Sequence, residues 1–117
     1  VTDMEGNIQA LSPGSTSVSG KLTEHPLIRE ALKGFFLAGP VREENNILLN
    51  ALGGDIDRDK PFLALESAFP IQVRDKVIGA ILAALPVNGN DNLVLQMKKH
   101  AGTDAVAIVA DNQIVAT

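Results

Sequence analysis

Cysteine, tryptophan and tyrosine are all absent from the 117 residues. Without cysteine there are no disulfides, thiolate metal sites or cysteine nucleophiles, although its absence leaves the cellular compartment open. Aromatic residues are limited to four phenylalanines, 3% of the chain, so the core must be built from aliphatic side chains. This composition argues against a reader of RNA that stacks bases on aromatic rings. A net charge of −4 and a pI near 5.0 supply the wrong field for gripping a nucleic-acid backbone. No apolar run approaches the ~18–20 residues that cross a bilayer, and the longest, residues 77–85, is about half that. No signal-peptide pattern, internal repeat or low-complexity segment is visible in these residues. What is present is a 45% hydrophobic, 21% charged chain of a length that suits one domain.

Local patterns predict an alternation of short strands and helices. Asp3 and Gly6 mark a turn, and Ile8 and Leu11 resume an apolar pattern, so residues 1–11 read as a short hairpin. Residues 12–20 read as a Ser/Gly/Pro loop. A helix opens at Thr23 as N-cap, tolerates Pro26 in its first turn, and has Leu27, Ile28, Ala31, Leu32 and Phe35 on one apolar stripe, with Gly34 as a natural C′ stop. Residues 35–41 read as an irregular strand interrupted by Gly39-Pro40, and residues 43–52 as a helix. Residues 55–60 form a charged loop. A long strand is predicted over 61–73, with a bend at Pro70, then a polar turn at Arg74-Asp75-Lys76. The unbroken apolar run 77–85 predicts a central strand buried on both faces, with Ile78, Ile81 and Leu82 almost fully covered. A helix over residues 92–101 follows, with Leu93, Val94 and Met97 inward and Lys98, Lys99 and His100 in the last turn. Strands over 105–110 and 113–116 flank a turn at Asp111-Asn112. The order predicts an α+β fold, an antiparallel sheet with helices on its faces.

Little in the chain carries recognisable chemistry. Asp55, Asp57, Asp59 and Glu66 imitate the spacing of a Ca²⁺ loop, but Lys60 stands where that loop requires glycine, and Pro61-Phe62 start a strand instead of a helix. A solvated acidic loop is the simpler reading. His25 and His100 are far apart and show no obvious partners, and His100 suits the C-terminal end of a helix dipole. The serines at 12, 15, 17 and 19 form no nucleophile elbow, and no phosphate-binding or dinucleotide glycine pattern occurs. No carboxylate pair is singled out for acid–base work, and the sequence predicts neither an enzyme nor a bound cofactor or metal. Glu66 and Ser67 are the polar break in an otherwise apolar strand, and a period of two places them on opposite faces. Arg42 follows the Gly-Pro break, where a pocket loop would lie, and a guanidinium can grip a carboxylate in bidentate fashion. Phe36 and Phe69 are two of the four aromatics available to wall a recess. Phe36, Arg42, Glu66, Ser67 and Phe69 are therefore the predicted ligand-binding residues, with a core role for the rings and solvation for the polar groups as the plainer reading.

The order of these stretches resembles the Cache domains, the PAS-like extracytoplasmic sensors of bacterial chemoreceptors and sensor kinases. Val1-Thr2-Asp3 with Gly6-Asn7-Ile8 resembles the family's opening hairpin, and His25 to Gly34 its first helix. Phe69-Pro70-Ile71 through Val77-Ile78-Gly79-Ala80-Ile81-Leu82 resembles its central hairpin. Residues 93–117, with Thr103-Asp104-Ala105-Val106-Ala107-Ile108 and Ile114-Val115-Ala116-Thr117, resemble the helix and hairpin that follow. The resemblance implies a PAS-like antiparallel sheet of roughly five or six strands flanked by helices. It implies a small-molecule ligand, such as a carboxylate or amino acid, bound between sheet and loops. It further implies a periplasmic piece of a longer, membrane-anchored, homodimeric receptor, whose isolated fragment is monomeric or weakly dimeric. A cytoplasmic GAF-type regulatory domain and a ligand-free dimerisation or structural module are the competing expectations.

Overall fold

The computed structural model describes residues 1–11, 20–52 and 59–117. The loop expected over 12–20 and the acidic Ca²⁺-like pattern at Asp55 and Asp57 fall mostly outside them. The class is α+β. Four strands form one antiparallel sheet in the order β1-β4-β3-β2: β1 (Thr2–Asp3), β2 (Leu37–Arg42), β3 (Leu63–Val73) and β4 (Lys76–Pro86). Arg74 and Asp75 both have positive φ, 52° and 68°, the geometry of a two-residue hairpin turn. The predicted polar turn is thus one residue tighter, and Lys76 already belongs to β4.

Gly39-Pro40 does not interrupt β2, which pairs without a break from Leu37↔Ala68 to Arg42↔Leu63. The strand lies at the sheet edge, where a proline's missing N–H removes no ladder bond if it faces outward. Pro70 likewise leaves β3 continuous, opposite Ala80, and the irregularity falls one step later, between Ile71 and Gln72.

Helix α1 (Pro26–Leu32) and helix α2 (Asn46–Leu52) contribute to a core centred on Leu22, Ile28, Ala31, Leu48, Ala68 and Ala80. Ile28, Ala31, Ala64, Ala68 and Ala80 are completely buried. Alanine on the sheet lets the helix approach closely, and the burial is achieved with small side chains. The α1 cap is His25, not Thr23: the Leu27 N–H donates to His25 Nδ1 at 3.2 Å. At the other end Gly34, with φ of 99°, takes the left-handed position that the sequence anticipated. Asn45 caps α2, its Oδ1 accepting from the N–H groups of Ile47 and Leu48.

The run 77–85 is not buried on both faces. Ile78 and Ile81 are 45% and 42% exposed, and Leu82 is only partly buried. The helices cover one face of the sheet. Cross-strand register places Phe69 opposite Ile81 and Leu65 opposite Leu85 on the other face, and all four are exposed. Both faces of β4 are apolar in sequence, so periodicity alone could not reveal that one lacks a cover among the described residues.

Helix α3 (Asp91–Ala101) packs with the hairpin of β5 (Ile108–Ala110) and β6 (Gln113–Ala116) around Val87, Val94, Val115 and Ala116. Asn90 caps the helix start through Leu93, and Gly102, with φ of 63°, ends it. Val94 faces inward as expected, whereas Met97 is exposed. The last two strands form a separate ribbon instead of extending the sheet, so the described strands divide four and two. Asn88 ties this unit to the sheet, accepting from the Leu63 N–H and donating to the Pro61 carbonyl, both at 2.8 Å.

Gly79 lies opposite Asp3, and a Cβ there would collide with the Thr2 carbonyl oxygen. The obstacle is backbone, so β1 has to move away. Gly79→Ala is expected to cost about 1–3 kcal/mol in thermal or chemical unfolding. Amide exchange should accelerate in residues 2–8 before it does in β3.

Candidate functional site

Three ionisable side chains meet under the sheet, on its helix-covered face. His25 stands at the foot of α1, Glu43 directly follows β2, and Glu66 projects from the middle of β3. His25 Nε2 lies 3.2 Å from Glu43 Oε2 and 3.1 Å from Glu66 Oε1. All three are buried, and Glu66 is only 2% exposed. The second Glu43 oxygen accepts from the Asn45 N–H at 3.0 Å, which joins the cluster to the cap of α2. Strand alternation sends Glu66 inward while Ser67 takes the opposite face, as the sequence period requires.

The three groups titrate as a unit. Burial alone would lower the His25 pKa, but hydrogen bonds to Glu43 and Glu66 and their negative charge override it and raise it from 6.5 to about 9. Burial raises the Glu66 carboxyl, and the nearby Glu43 adds to this against the pull of His25. Glu66 Oε2 has no hydrogen-bond partner, which further disfavours a full charge there. Burial would also raise Glu43, but the bonds it receives from His25, Glu66 and the Asn45 N–H hold it below the usual carboxylate range. The cap bond from Leu27 needs the Nδ1 lone pair, so a doubly protonated ring forfeits it. The two carboxylates thus favour the imidazolium, whereas the cap bond favours the neutral ring.

The ligand atoms of this triad lie within 4.8 Å of one another, a spacing compatible with a divalent ion. The imidazole opposes that use. A metal-bound histidine normally donates its other ring N–H to a second partner. Here the other nitrogen, Nδ1, faces a donor, and the hydrogen bonds assign the proton to Nε2, the atom an ion would need. The arrangement is suited to holding a proton and pinning three chain segments together.

The predicted ligand residues divide between the two faces. Phe36 and Phe69 stack with centroids 4.7 Å apart and an interplanar angle of 43°, and both are exposed on the uncovered face. Ser67 and Arg42 share that face by register. Arg42 ends β2 instead of occupying an irregular loop, and its guanidinium pairs with Asp111 and lies 3.8 Å from Glu44. Glu66 is on the opposite face and does not join them. The sequence reading missed Glu43 and left His25 without partners. Glu66 carried the only signal, a charge within an apolar strand.

A separate cavity of about 570 Å³ lies between the free edge of β4 and α2. Thr2, Ile8, Leu22, Leu48, Leu52 and Leu82 contribute to its walls, and none of the five predicted ligand residues does. Compared with known proteins, the chain has no match among family models, curated proteins or solved structures.

The proton linkage has a definite sign. A raised His25 pKa stabilises the fold below pH 6.5, and this contribution is lost as pH climbs to about 9. The raised Glu66 acts in the same direction, and the lowered Glu43 is lost only as pH falls below the carboxylate range. The melting temperature is therefore expected to decline from pH 6.5 to 9. Glu66→Gln keeps an acceptor for Nε2 and should flatten that decline, as read from melting curves across the range.

Proposed function

We propose that this chain is an extracytoplasmic sensor domain of the PAS-like Cache kind, which binds a small molecule and passes a conformational change to an output module. The observation that carries this reading is the cavity between the edge of β4 and α2, a recess large enough for a small molecule, although it lies apart from the five residues expected to hold one. The antiparallel sheet with helices on one face supports the same architecture at a coarse level. Among the described residues no helix is long and apolar enough to cross a membrane.

A route for the signal follows from the packing. Leu48 and Leu52 of α2 wall the cavity, and the cap of α2 is joined to Glu43 and hence to His25 and Glu66. A ligand that favours one position of α2 alters the support of that triad, and with it the start of α1. The ligand must bind the two positions with different free energies for any signal to arise.

A thermal-shift screen of small metabolites tests this reading. A specific ligand at 100 times its dissociation constant should add about 2.7 kcal/mol of stability. A second reading, a ligand-free assembly module, is favoured by the exposed apolar face of Phe36, Leu65, Phe69, Ile81 and Leu85. Sedimentation separates the two: the sensor reading expects this fragment to be monomeric or weakly dimeric at micromolar concentration, and a tight dimer with no ligand response favours assembly.

A further inference from the structure

We infer that the cavity beside α2 is a strand-insertion slot, in which a short extended peptide from another chain pairs with β4 at Leu82 and Ala84 and continues the line of β1. This rests on the sensor reading, which puts the ligand in the same cavity, and it names the ligand class. That class is a peptide main chain with an apolar side chain at every second position, in place of the carboxylates and amino acids that the resemblance implies.

The main-chain register carries the inference. The Val87 N–H donates to the Leu63 carbonyl, which fixes which opposed residues of β3 and β4 exchange hydrogen bonds. Alternation from that pair assigns Leu65–Leu85, Ser67–Ala83 and Phe69–Ile81 to the ladder. Leu82 and Ala84 therefore turn their N–H and C=O groups toward the other edge of β4. β1 occupies that edge only at Gly79 and Ala80, with Thr2 opposite Ala80. Among the described residues nothing bonds to the Leu82 or Ala84 main chain on that side. Val1, where β1 ends, bonds instead to Gln9 and Ala10. Two donors and two acceptors are thus left in a row, in phase with the Thr2–Ala80 pair.

The cavity lies along that row. Residues 81–84 of β4 line it, and so do Leu22, Leu48 and Leu52 from the core under the helices. Four residues of strand span about 13 Å. Residues 81–85 carry neither charge nor proline, the usual guards of an open edge. The opposite edge of the sheet, β2, has both, in Pro40 and Arg42. One edge is guarded against an added strand, and the other faces a cavity.

Strand alternation sets the side-chain pattern of the peptide. Its residues opposite Leu82 and Ala84 share the face on which Leu82 packs against the core, so they must be apolar. The residues between them share the face of Ile81, which is exposed, and can be polar.

Titrating the chain with N-acetylated, C-amidated pentapeptides, Thr-Val-Thr-Val-Thr and Thr-Leu-Thr-Leu-Thr, tests the inference by amide and methyl NMR. At least one peptide should shift the Leu82 and Ala84 amides and the Leu48 and Leu52 methyls. At ten times its Kd it should slow exchange of those two amides about tenfold. N-methylating both apolar residues of the peptide removes the donors that face β4 and should weaken binding about tenfold or more. N-methylating the central threonine, whose N–H faces away from β4, should weaken it less. Ala84→Pro removes one edge-facing N–H outside the β3–β4 ladder. It should weaken the peptide about fivefold or more and leave the melting temperature near that of the parent. The methylated peptides keep the test independent of whether this variant folds. If neither pentapeptide moves these signals, or the doubly methylated peptide binds as well as its parent, strand insertion is overturned. It is also overturned if dimerisation of the chain alone already protects Leu82 and Ala84, since the occupant is then a second copy. In each case a metabolite that stabilises the chain in the thermal-shift screen keeps the sensor reading, so the two fail separately.

Discussion

His25, Glu43 and Glu66 share a buried proton network on which the position of every element on the covered side of the sheet depends. One imidazole caps α1 through Nδ1 and reaches two carboxylates through Nε2. One of those carboxylates belongs to β3, and the other continues through Asn45 into the cap of α2. Breaking such a network by removing one member leaves charges buried without partners, typically costing about 3–5 kcal/mol. Its value lies in specification as much as in stability: an apolar core of alanine and leucine tolerates sliding, whereas this cluster is satisfied only when three segments meet at fixed positions.

That constraint leaves the sheet asymmetric. On the helix side, Ala64, Ala68 and Ala80 admit the α1 backbone closely. On the other side, Phe36 and Phe69 stack, and Leu65, Ile81 and Leu85 stand exposed. The cavity arises where β1 stops pairing with β4 and α2 does not close the space. A cleft bounded by a short strand, a short helix and an open strand edge is easier to deform than the central hairpin, where β3 and β4, eleven residues each, pair at ten positions. The proposed sensor reading calls for such a distribution, a stiff frame with a compliant wall.

Gly79 and Thr2 illustrate how the two halves of that design meet. Gly79 lacks a Cβ because the β1 carbonyl approaches it, and this approach places Thr2 at the cavity wall. The glycine in the apolar run that drew attention to a sensor-like hairpin thus has a steric reason in this chain. Arg42, by contrast, holds the sheet to the β5–β6 turn through Asp111. The same guanidinium that suggested a carboxylate ligand is already paired within the chain.

The sequence by itself determined the local elements. Asn90 and Gly102 bound α3, Gly34 stops α1, and the positions of both long hairpin strands and of the Asp111-Asn112 turn were legible, because caps and tight turns are decided within a few residues. It also showed that Glu66 and Ser67 must take opposite faces. Only the tertiary structure decided which face was covered, since β4 is apolar on both and a missing layer leaves no mark on periodicity. It likewise decided the partners of His25, which lie 18 and 41 residues away, and the wall of the cavity. Those contacts depend on how elements pack, and residues so far apart carry no spacing pattern from which their meeting could be read.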